Sequence, residues 1–159
     1  MIKNEEITQS LHLLRVLVRS YNSVAAHSFR SSKGFGFNPT EFAVLELLYH
    51  KGPQKLNEIG TRLLLVSGGV TYVVDKMEAA GLVLREPSNK DRRVVYAKLT
   101  EKGRRIMEEI SPKHAANLHE AFSGLTPEEK EKLIHLLKKM GKEAERKWNE
   151  ANGKKTAEH

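Results

Sequence analysis

Residues 66–103 read VSGGVTYVVDKMEAAGLVLREPSNKDRRVVYAKLTEKG. This order of residue types predicts a helix, a glycine stop, a strand, a charged loop and a second strand. The apolar residues of the helix recur at i, i+3, i+4 and i+7, so one face must be buried. They are Val70, Val73, Val74 and Met77. The opposite face is polar and stays available to a partner; it carries Ser67, Gly68, Gly69, Thr71, Tyr72, Asp75 and Lys76.

Two glycines, Gly68 and Gly69, open the polar face of this helix. Glycine costs a helix about 1 kcal/mol relative to alanine, so its presence there needs a reason. Small residues at a helix N-terminus expose unpaired N–H groups and the positive end of the helix dipole, which suits a DNA phosphate. A loose helix start is the alternative interpretation, and the two glycines alone do not decide between them.

The loop between the predicted strands Leu82–Glu86 and Val94–Leu99 is basic. Its charged residues are Lys90, Asp91, Arg92 and Arg93. A cationic tip on a thin β-ribbon suits insertion into a narrow, electronegative minor groove of DNA, and the aspartate is close enough to orient a guanidinium. The alternative is a charged tip that is only solvated. Its place beside a polar helix face favours DNA binding.

The residues upstream complete a helix-turn-helix. A helix is predicted over Lys55–Leu64, and only Leu65–Ser67 separates it from the next helix. Two helices on so short a turn form this motif, with Gly60 small enough to let them pack. Before them, Asn38-Pro-Thr-Glu41 has the capping pattern that starts another helix. Three helices and a β-wing therefore make a predicted winged domain over residues 38–100.

Both ends of the chain are predicted to be amphipathic helices. From Ile7 to Phe29 apolar residues step by three and four, and a second broad stripe runs from Leu133 to Met140 after a capped start at Thr126. The winged domain alone is too small to cover both stripes, so the surplus apolar surface predicts a dimer core made by the terminal helices. A self-contained helical bundle in a monomer is the alternative.

The predicted fold is mainly α-helical with a small antiparallel β-wing. An N-terminal dimerisation helix (1–37) precedes the winged helix-turn-helix domain (38–100), and C-terminal dimerisation helices (101–150) precede a polar tail (151–159). After residue 100, Pro112 either kinks one long helix or splits it into two.

Composition agrees with a polyanionic partner. The 159 residues include 27 Lys+Arg against 20 Asp+Glu, a net charge of +7 and a pI near 9.6. The length suits one domain with a real core. No apolar run approaches the length of a membrane span and no signal peptide is apparent, so a cytoplasmic protein without a membrane partner is expected. The absence of cysteine excludes disulfides, thiolate metal sites and thiol switches.

The motifs of common catalytic and metal sites are missing. His114 and His119 are five residues apart, which puts them off one helix face, and no His-Glu-x-x-His occurs. Ser67-Gly68-Gly69 lacks the Gly-x-Ser-x-Gly frame of a nucleophile elbow, and no Gly-x-x-x-x-Gly-Lys is present. We therefore expect no enzyme, no metal and no cofactor.

In their order and spacing these motifs resemble the MarR family of transcriptional regulators. The matching strings are Asn38-Pro-Thr-Glu-Phe-Ala-Val-Leu45, Leu56…Ile59-Gly60…Leu63, Val66-Ser-Gly-Gly-Val-Thr71, Val74-Asp-Lys-Met-Glu78, Gly81-Leu-Val83, Asp91-Arg-Arg93 and Leu99-Thr-Glu-Lys-Gly103. The resemblance implies a homodimer, joined by helices from both chain ends, whose two winged domains read a pseudo-palindrome in double-stranded DNA.

The resemblance also implies a role for each residue of the reading surface. Those expected to face the major groove are Ser67, Gly68, Gly69, Thr71, Tyr72 and Lys76. Arg93, held by Asp91, would enter the minor groove, with Lys90 and Arg92 on nearby phosphates. Tyr72 stands where an arginine is frequent in the family, which leaves the base preference open.

The expected function is sequence-specific DNA binding by a transcriptional regulator, a repressor that a small ligand releases. In the family, the effector site lies between the dimer helices and the winged domain, and an aromatic or phenolic ligand would suit it here. The residues that could line it are Tyr21, His27, Phe29, Phe42 and Tyr49; ordinary aromatic core is the alternative for each. A winged-helix module that binds a protein instead of DNA is the alternative function.

Overall fold

A computed structural model describes residues 4–63, 65, 67–89, 91 and 93–153, apart from the side chain of Ser67. It confirms a mainly helical fold with a small antiparallel sheet. The elements are α1 (Asn4–Gly34), α2 (Pro39–Lys51), β1 (Gln54–Lys55), α3 (Leu56–Leu63), α4 (Ser67–Ala79), β2 (Val83–Pro87), β3 (Val95–Leu99), α5 (Glu101–Ala121) and α6 (Pro127–Ala151). They form two compact units that divide between Ala121 and Phe122, with α1 to α5 and the sheet in the first and α6 in the second.

The start of α2 has the predicted capping box. The Asn38 side chain accepts the N–H of Glu41 at 2.9 Å, and the Glu41 carboxylate accepts the N–H of Asn38 at 3.0 Å. Two N–H groups that the helix leaves unpaired are thereby satisfied. Pro39 occupies the first turn, where its missing N–H costs nothing.

Helices α3 and α4 form the predicted helix-turn-helix. A Cβ built on Gly60 would lie 3.1 Å from Val70 Cγ2 and 3.2 Å from the Leu65 carbonyl oxygen, so the glycine permits the close crossing. The prediction that α3 begins at Lys55 was wrong. Lys55 lies in β1 because its backbone pairs with Tyr96 of β3, and α3 begins at Leu56.

The sheet has three antiparallel strands in the order β1-β3-β2. The register pairs Val83 with Leu99 and Pro87 with Val95. Strands β2 and β3 each begin one residue later than predicted. Strand β1 was not predicted, because two residues are too few to show a periodicity.

Helix α4 ends in a Schellman motif at Gly81, as the predicted glycine stop requires. Gly81 has φ 71°, its N–H donates to the Glu78 carbonyl at 2.9 Å, and the N–H of Leu82 donates to the Met77 carbonyl at 2.9 Å. A side chain would be strained at this φ, whereas glycine adopts it freely.

The base of the wing and the start of α5 are joined at Thr100. Its hydroxyl donates to the Gly81 carbonyl at 2.7 Å and accepts the N–H of Gly103 at 3.0 Å. Gly103 lies so close to Leu82, the residue before β2, that a Cβ there would be 2.1 Å from the Leu82 carbonyl oxygen. The Leu-Thr-x-x-Gly pattern is thus a steric and hydrogen-bonding requirement of this junction.

Pro112 neither ends nor splits α5, which runs without a break from Glu101 to Ala121. Proline cannot donate to the carbonyl four residues earlier, which belongs to Glu108. Both residues are exposed, so water can satisfy that carbonyl. Of the two alternatives left open by the sequence, two separate helices was the wrong one.

The core of the first unit joins α2, α3, α4, the sheet and α5. Its buried apolar residues are Phe42, Val44, Leu45, Leu48, Ile59, Val70, Val73, Val74, Met77, Leu82, Val83, Ala97, Met107 and Ile110. The apolar stripes of α1 and α6 are exposed instead. They include Ile7, Leu11, Leu14, Val18 and Tyr21 on α1, and Leu133, Ile134, Leu136, Leu137 and Met140 on α6.

Candidate nucleic-acid interface

Helix α4 has the two faces that its sequence predicts. Val70, Val73, Val74 and Met77 are buried in the core, whereas Gly68, Thr71, Tyr72 and Asp75 are exposed. Nothing lies within 4 Å of a Cβ built on Gly68, so no contact among the described residues requires glycine there. The described residues therefore leave the space in front of Gly68 open to a partner.

The wing tip holds an arginine in a fork. Arg93 donates from Nε to Asp91 Oδ1 and from Nη2 to Asp91 Oδ2, both at 3.1 Å, and its backbone N–H donates to Oδ1 at 3.0 Å. These bonds hold the pKa of Asp91 below its usual range. The Arg93 side chain is 91% exposed, so Asp91 orients the guanidinium without covering it. The predicted orientation of an arginine by Asp91 is confirmed.

Arg85 ties the wing to α4, a role that the sequence analysis missed. Its guanidinium lies 2.6 Å from Asp75 Oδ1 and 2.5 Å from Glu78 Oε2, and its backbone N–H donates to Glu78 Oε1 at 3.1 Å. A planar guanidinium that contacts two carboxylates through two different nitrogens fixes orientation as well as proximity. The i, i+3 spacing of the two carboxylates on α4 was the available signal, but it does not identify the cation.

Lys76 also makes an ion pair within the chain. Its Nζ lies 2.5 Å from Oε1 of Glu41, the capping glutamate of α2. The carboxylate is almost completely buried, whereas the lysine side chain is about half exposed. Ion pairs therefore hold helix α4 to two neighbours: Arg85 links it to β2, and Lys76 links it to α2.

Three of the predicted site positions lie outside the described part of the chain. They are Lys90, Arg92 and the side chain of Ser67, the first residue of α4. Gly69 is half-buried in the first turn of that helix.

The five residues predicted for an effector site do not share one wall. Phe42 is core, with its ring edge-on to His114 at 4.6 Å between centroids. Tyr49 packs partly against the same core, whereas Tyr21 and Phe29 are exposed on α1. His27 lines a crevice of about 440 Å³ together with Arg30, Ser31, Gly34, Phe35, Asn117 and Glu120.

Beside this crevice lies a polar cluster that joins α1, α2 and α5, with Ser31 and His114 buried at its centre. Ser31 Oγ is 3.2 Å from His114 Nδ1 and accepts a hydrogen bond from Asn117 Nδ2 at 3.1 Å. His114 Nε2 lies 3.9 Å from Glu46 Oε2. No sequence pattern indicated this cluster, because Ser31 and His114 are 83 residues apart.

Within the described residues, no cluster of three or more histidine or carboxylate side chains could hold a metal ion. No helix among them is long and apolar enough to cross a membrane.

Comparison with known proteins identifies the family. Residues 37–95 match the model of the MarR family. The chain is 58% identical to the uncharacterised HTH-type transcriptional regulator YkoM of Bacillus subtilis, over 86% of this chain and 89% of the relative. It is 50% identical to the HTH-type transcriptional regulator MhqR of the same organism, over 84% of this chain and 92% of the relative.

Solved structures agree with these relatives. A mutant of Escherichia coli MarR, solved in complex with operator DNA, is 25% identical with a TM-score of 0.72, covering 83% of this chain and 95% of that one. Bordetella bronchiseptica BpsR, solved to explain regulation of its DNA binding by 6-hydroxynicotinic acid, is 28% identical with a TM-score of 0.69, covering 84% and 98%. The relatives are regulators and not enzymes, as predicted for this chain. The chain belongs to the MarR family of winged helix-turn-helix transcriptional regulators.

Proposed function

We propose that this regulator is a repressor that binds a pseudo-palindromic operator as a homodimer and leaves it when a small aromatic ligand binds. The observation that carries the DNA-binding part is the exposed guanidinium of Arg93, oriented by Asp91 at the tip of the wing. A fixed cation on a thin hairpin suits a minor groove, where the negative potential is strongest.

The outward face of α4 is the proposed major-groove surface. We assign base or backbone contacts there to Ser67, Gly68, Gly69, Thr71 and Tyr72. Open space in front of Gly68 lets a phosphate backbone approach the first turn, and the exposed Tyr72 ring and hydroxyl reach toward base edges. Lys90 and Arg92 remain proposed phosphate contacts from the sequence.

The alternative of a protein-docking module has less support. A protein interface has a core of aromatic and aliphatic anchors in a largely desolvated patch. The exposed face of α4 has one aromatic residue, Tyr72, among glycines, hydroxyl groups and charges. The structural likeness to a MarR solved with operator DNA supports the same conclusion.

The exposed stripes of α1 and α6 support the homodimer. Each shows a continuous row of large apolar side chains to solvent, which soluble monomers rarely do. A second copy with two-fold symmetry would cover the same rows on both chains. Such a dimer would hold two winged domains about one helical turn, ~34 Å, apart on DNA.

Repression follows from operator occupancy, because a dimer bound over a promoter excludes the polymerase. For release, we propose a hydroxylated aromatic ligand, in keeping with the hydroxynicotinic acid that regulates DNA binding by BpsR. The crevice beside His27 offers Arg30 to an acidic group and Phe35 to a ring. Of the other residues proposed to contact the ligand, Tyr21 and Phe29 are exposed, whereas Phe42 and Tyr49 are wholly or partly packed in the core.

A gel-shift titration tests the proposal. Promoter DNA from the gene's own region and random DNA of equal length are compared at several salt concentrations. We expect tight binding to one promoter fragment, a steep salt dependence, and release by a hydroxybenzoate or hydroxyquinone but not by cyclohexanecarboxylate. Binding that is equally weak for all DNA at every salt concentration would favour the protein-docking module.

A further inference from the structure

The carboxylate of Glu41 makes two different interactions, one with each oxygen. Oε2 accepts the N–H of Asn38 in the capping box of α2, and Oε1 lies against the ammonium of Lys76 on α4. Among the described residues, no further ion pair or hydrogen bond is found for Oε1, and it is shielded from water. Within that part of the chain, Lys76 is thus the one group that compensates this buried oxygen.

The second capping box of the chain provides an internal comparison. At the start of α6, Thr126 and Glu129 make the same pair of bonds, at 2.8 and 3.3 Å. Glu129 is exposed, and none of the ion pairs found in the described residues includes it. Capping a helix therefore requires neither burial of the glutamate nor a lysine on another helix, so the Glu41–Lys76 pair has a further role.

We propose that Lys76 is a positioning residue: held by Glu41, it fixes α4 on α2 so that the outward face of α4 meets the major groove, and it does not bind a phosphate. This inference rests on the proposed DNA binding. Moving the ammonium to a phosphate would leave Oε1 buried beside no cation, which is far costlier than leaving a surface phosphate to its counterions.

The charge of Glu41 supports the assignment. Its side-chain hydrogen bond and its charge raise the pKa of Lys76, as expected for a close ion pair. Because α4 is held to β2 by the two ion pairs of Arg85 and to α2 by the ion pair of Lys76, the helix is restrained by two different neighbours. Loss of either should disturb the angle at which α4 enters the groove.

The variants Glu41→Gln and Lys76→Gln, with their double variant, separate the two roles in the full-length protein. Glutamine still completes a capping box, so Glu41→Gln removes the charge and keeps the cap. A positioning role predicts that each single variant weakens operator binding by about tenfold and that the double variant is no weaker than either, because one interaction is lost in all three. Lys76→Arg should restore most of the affinity.

The salt dependence gives an independent readout. A lost phosphate contact lowers the slope of log K against log salt by about 0.9 for each subunit, whereas a lost positioning contact leaves the slope unchanged. The matched control is Glu129→Gln, the same change in the exposed capping box, which should leave operator affinity and slope as they are.

Several outcomes would overturn the inference. One is tighter DNA binding by Glu41→Gln, since a phosphate-binding lysine would be freed by losing its partner. Another is a reduced slope for Lys76→Gln, and a third is additive losses in the double variant. Failure of the unmodified protein to prefer any promoter DNA would instead overturn the proposed function, and Arg93→Ala, which should lower the slope, reports whether the assay detects phosphate and groove contacts.

Discussion

The winged region and the terminal helices are built from the same kinds of residues, yet they expose them in opposite ways. On α4, residues at i, i+3, i+4 and i+7 are at most 6% exposed, because α2, α3 and the sheet cover them. On α6, residues of the same type and spacing are 37–51% exposed. Periodicity determines which face of a helix is apolar, but the surrounding chain determines whether that face is covered.

The charged residues show a similar contrast. Around α4, ion pairs link different elements: Arg85 joins β2 to α4 and Lys76 joins α4 to α2. On α6, Arg146 pairs with Glu143 and Glu150, one turn away on the same helix. Pairs within a helix stabilise that helix by a few tenths of a kcal/mol, whereas pairs between elements fix their relative orientation. The ion pairs of the winged region therefore fix its elements relative to one another, whereas those of α6 stabilise that helix alone.

The largest expected effect is in assembly. Leu137→Glu would place an unpaired charge in the proposed dimer interface at a cost of several kcal/mol, so the protein should sediment as a monomer at micromolar concentration. Lys139→Glu, on the other side of α6, is the control and should remain dimeric. If the unmodified protein were already a monomer at this concentration, the exposed apolar stripes would not form a dimer interface and this prediction would be wrong.

Leu45→Ala should act on folding rather than assembly. Leu45 is fully buried, so its truncation should lower the free energy of unfolding by about 2–5 kcal/mol, measured by urea denaturation. The dimer dissociation constant of the folded protein should not change. If Leu45→Ala instead shifted the monomer–dimer equilibrium, the core and the assembly surface would not be separate.

Arg93→Ala should weaken operator binding by about 1–3 kcal/mol and lower the salt slope by about 0.9 per subunit. The physical reason is the loss of a cation that the proposed complex places in the minor groove. Arg146→Ala is the matched control, because its guanidinium is also held by carboxylates but lies on α6. Equal losses in both variants would show that net charge, and not the wing, supplies the affinity.

Tyr72→Ala should reduce specificity more than affinity. We expect the ratio of operator to random-DNA affinity to fall by about threefold to tenfold, the low end for loss of a base contact. Tyr72→Phe separates the ring from the hydroxyl, and its operator affinity, measured by fluorescence anisotropy, should fall between those of Tyr72→Ala and the unmodified protein. An unchanged ratio of operator to random-DNA affinity for Tyr72→Ala would mean that other residues of α4 recognise the bases.

The smallest effect concerns pH at the wing. Arg93 lowers the pKa of Asp91, so the fork is fully formed above the ordinary aspartate pKa of about 3.9 and is lost only as pH falls through the lowered value. The contribution of Arg93 to operator affinity, measured as the ratio of unmodified protein to Arg93→Ala, should therefore be constant from about pH 5.5 to 8. A ratio that changes within this window would mean that another group titrates at the wing.

The sequence was sufficient where interactions are local. The Asn38 capping box, the Gly81 helix end, the apolar face of α4 and the Asp91–Arg93 fork each involve residues within about two helical turns of one another, and the structure contains them all.

Contacts between distant residues could not be predicted. Strand β1 forms only because β3 pairs with it, and Arg85, Lys76 and His114 find their partners through the tertiary fold. Their partners lie far away in the sequence or on other elements, so no local pattern identifies them. The residues predicted for an effector site are the clearest case, because nothing in their spacing distinguishes buried Phe42 from exposed Phe29.

The junction at Thr100 limits how this protein can be re-engineered. A chimera that exchanges winged domains between relatives would most simply be joined after the wing, between residues 99 and 101. That cut takes the Thr100 hydroxyl and one of its two partners, the Gly81 carbonyl or the Gly103 N–H, from different parents, and it brings position 103 of one parent against the Leu82 carbonyl of the other, where only a hydrogen fits. Exchangeable cassettes should therefore carry residues 81–103 as one inherited block, with the seam placed farther along α5.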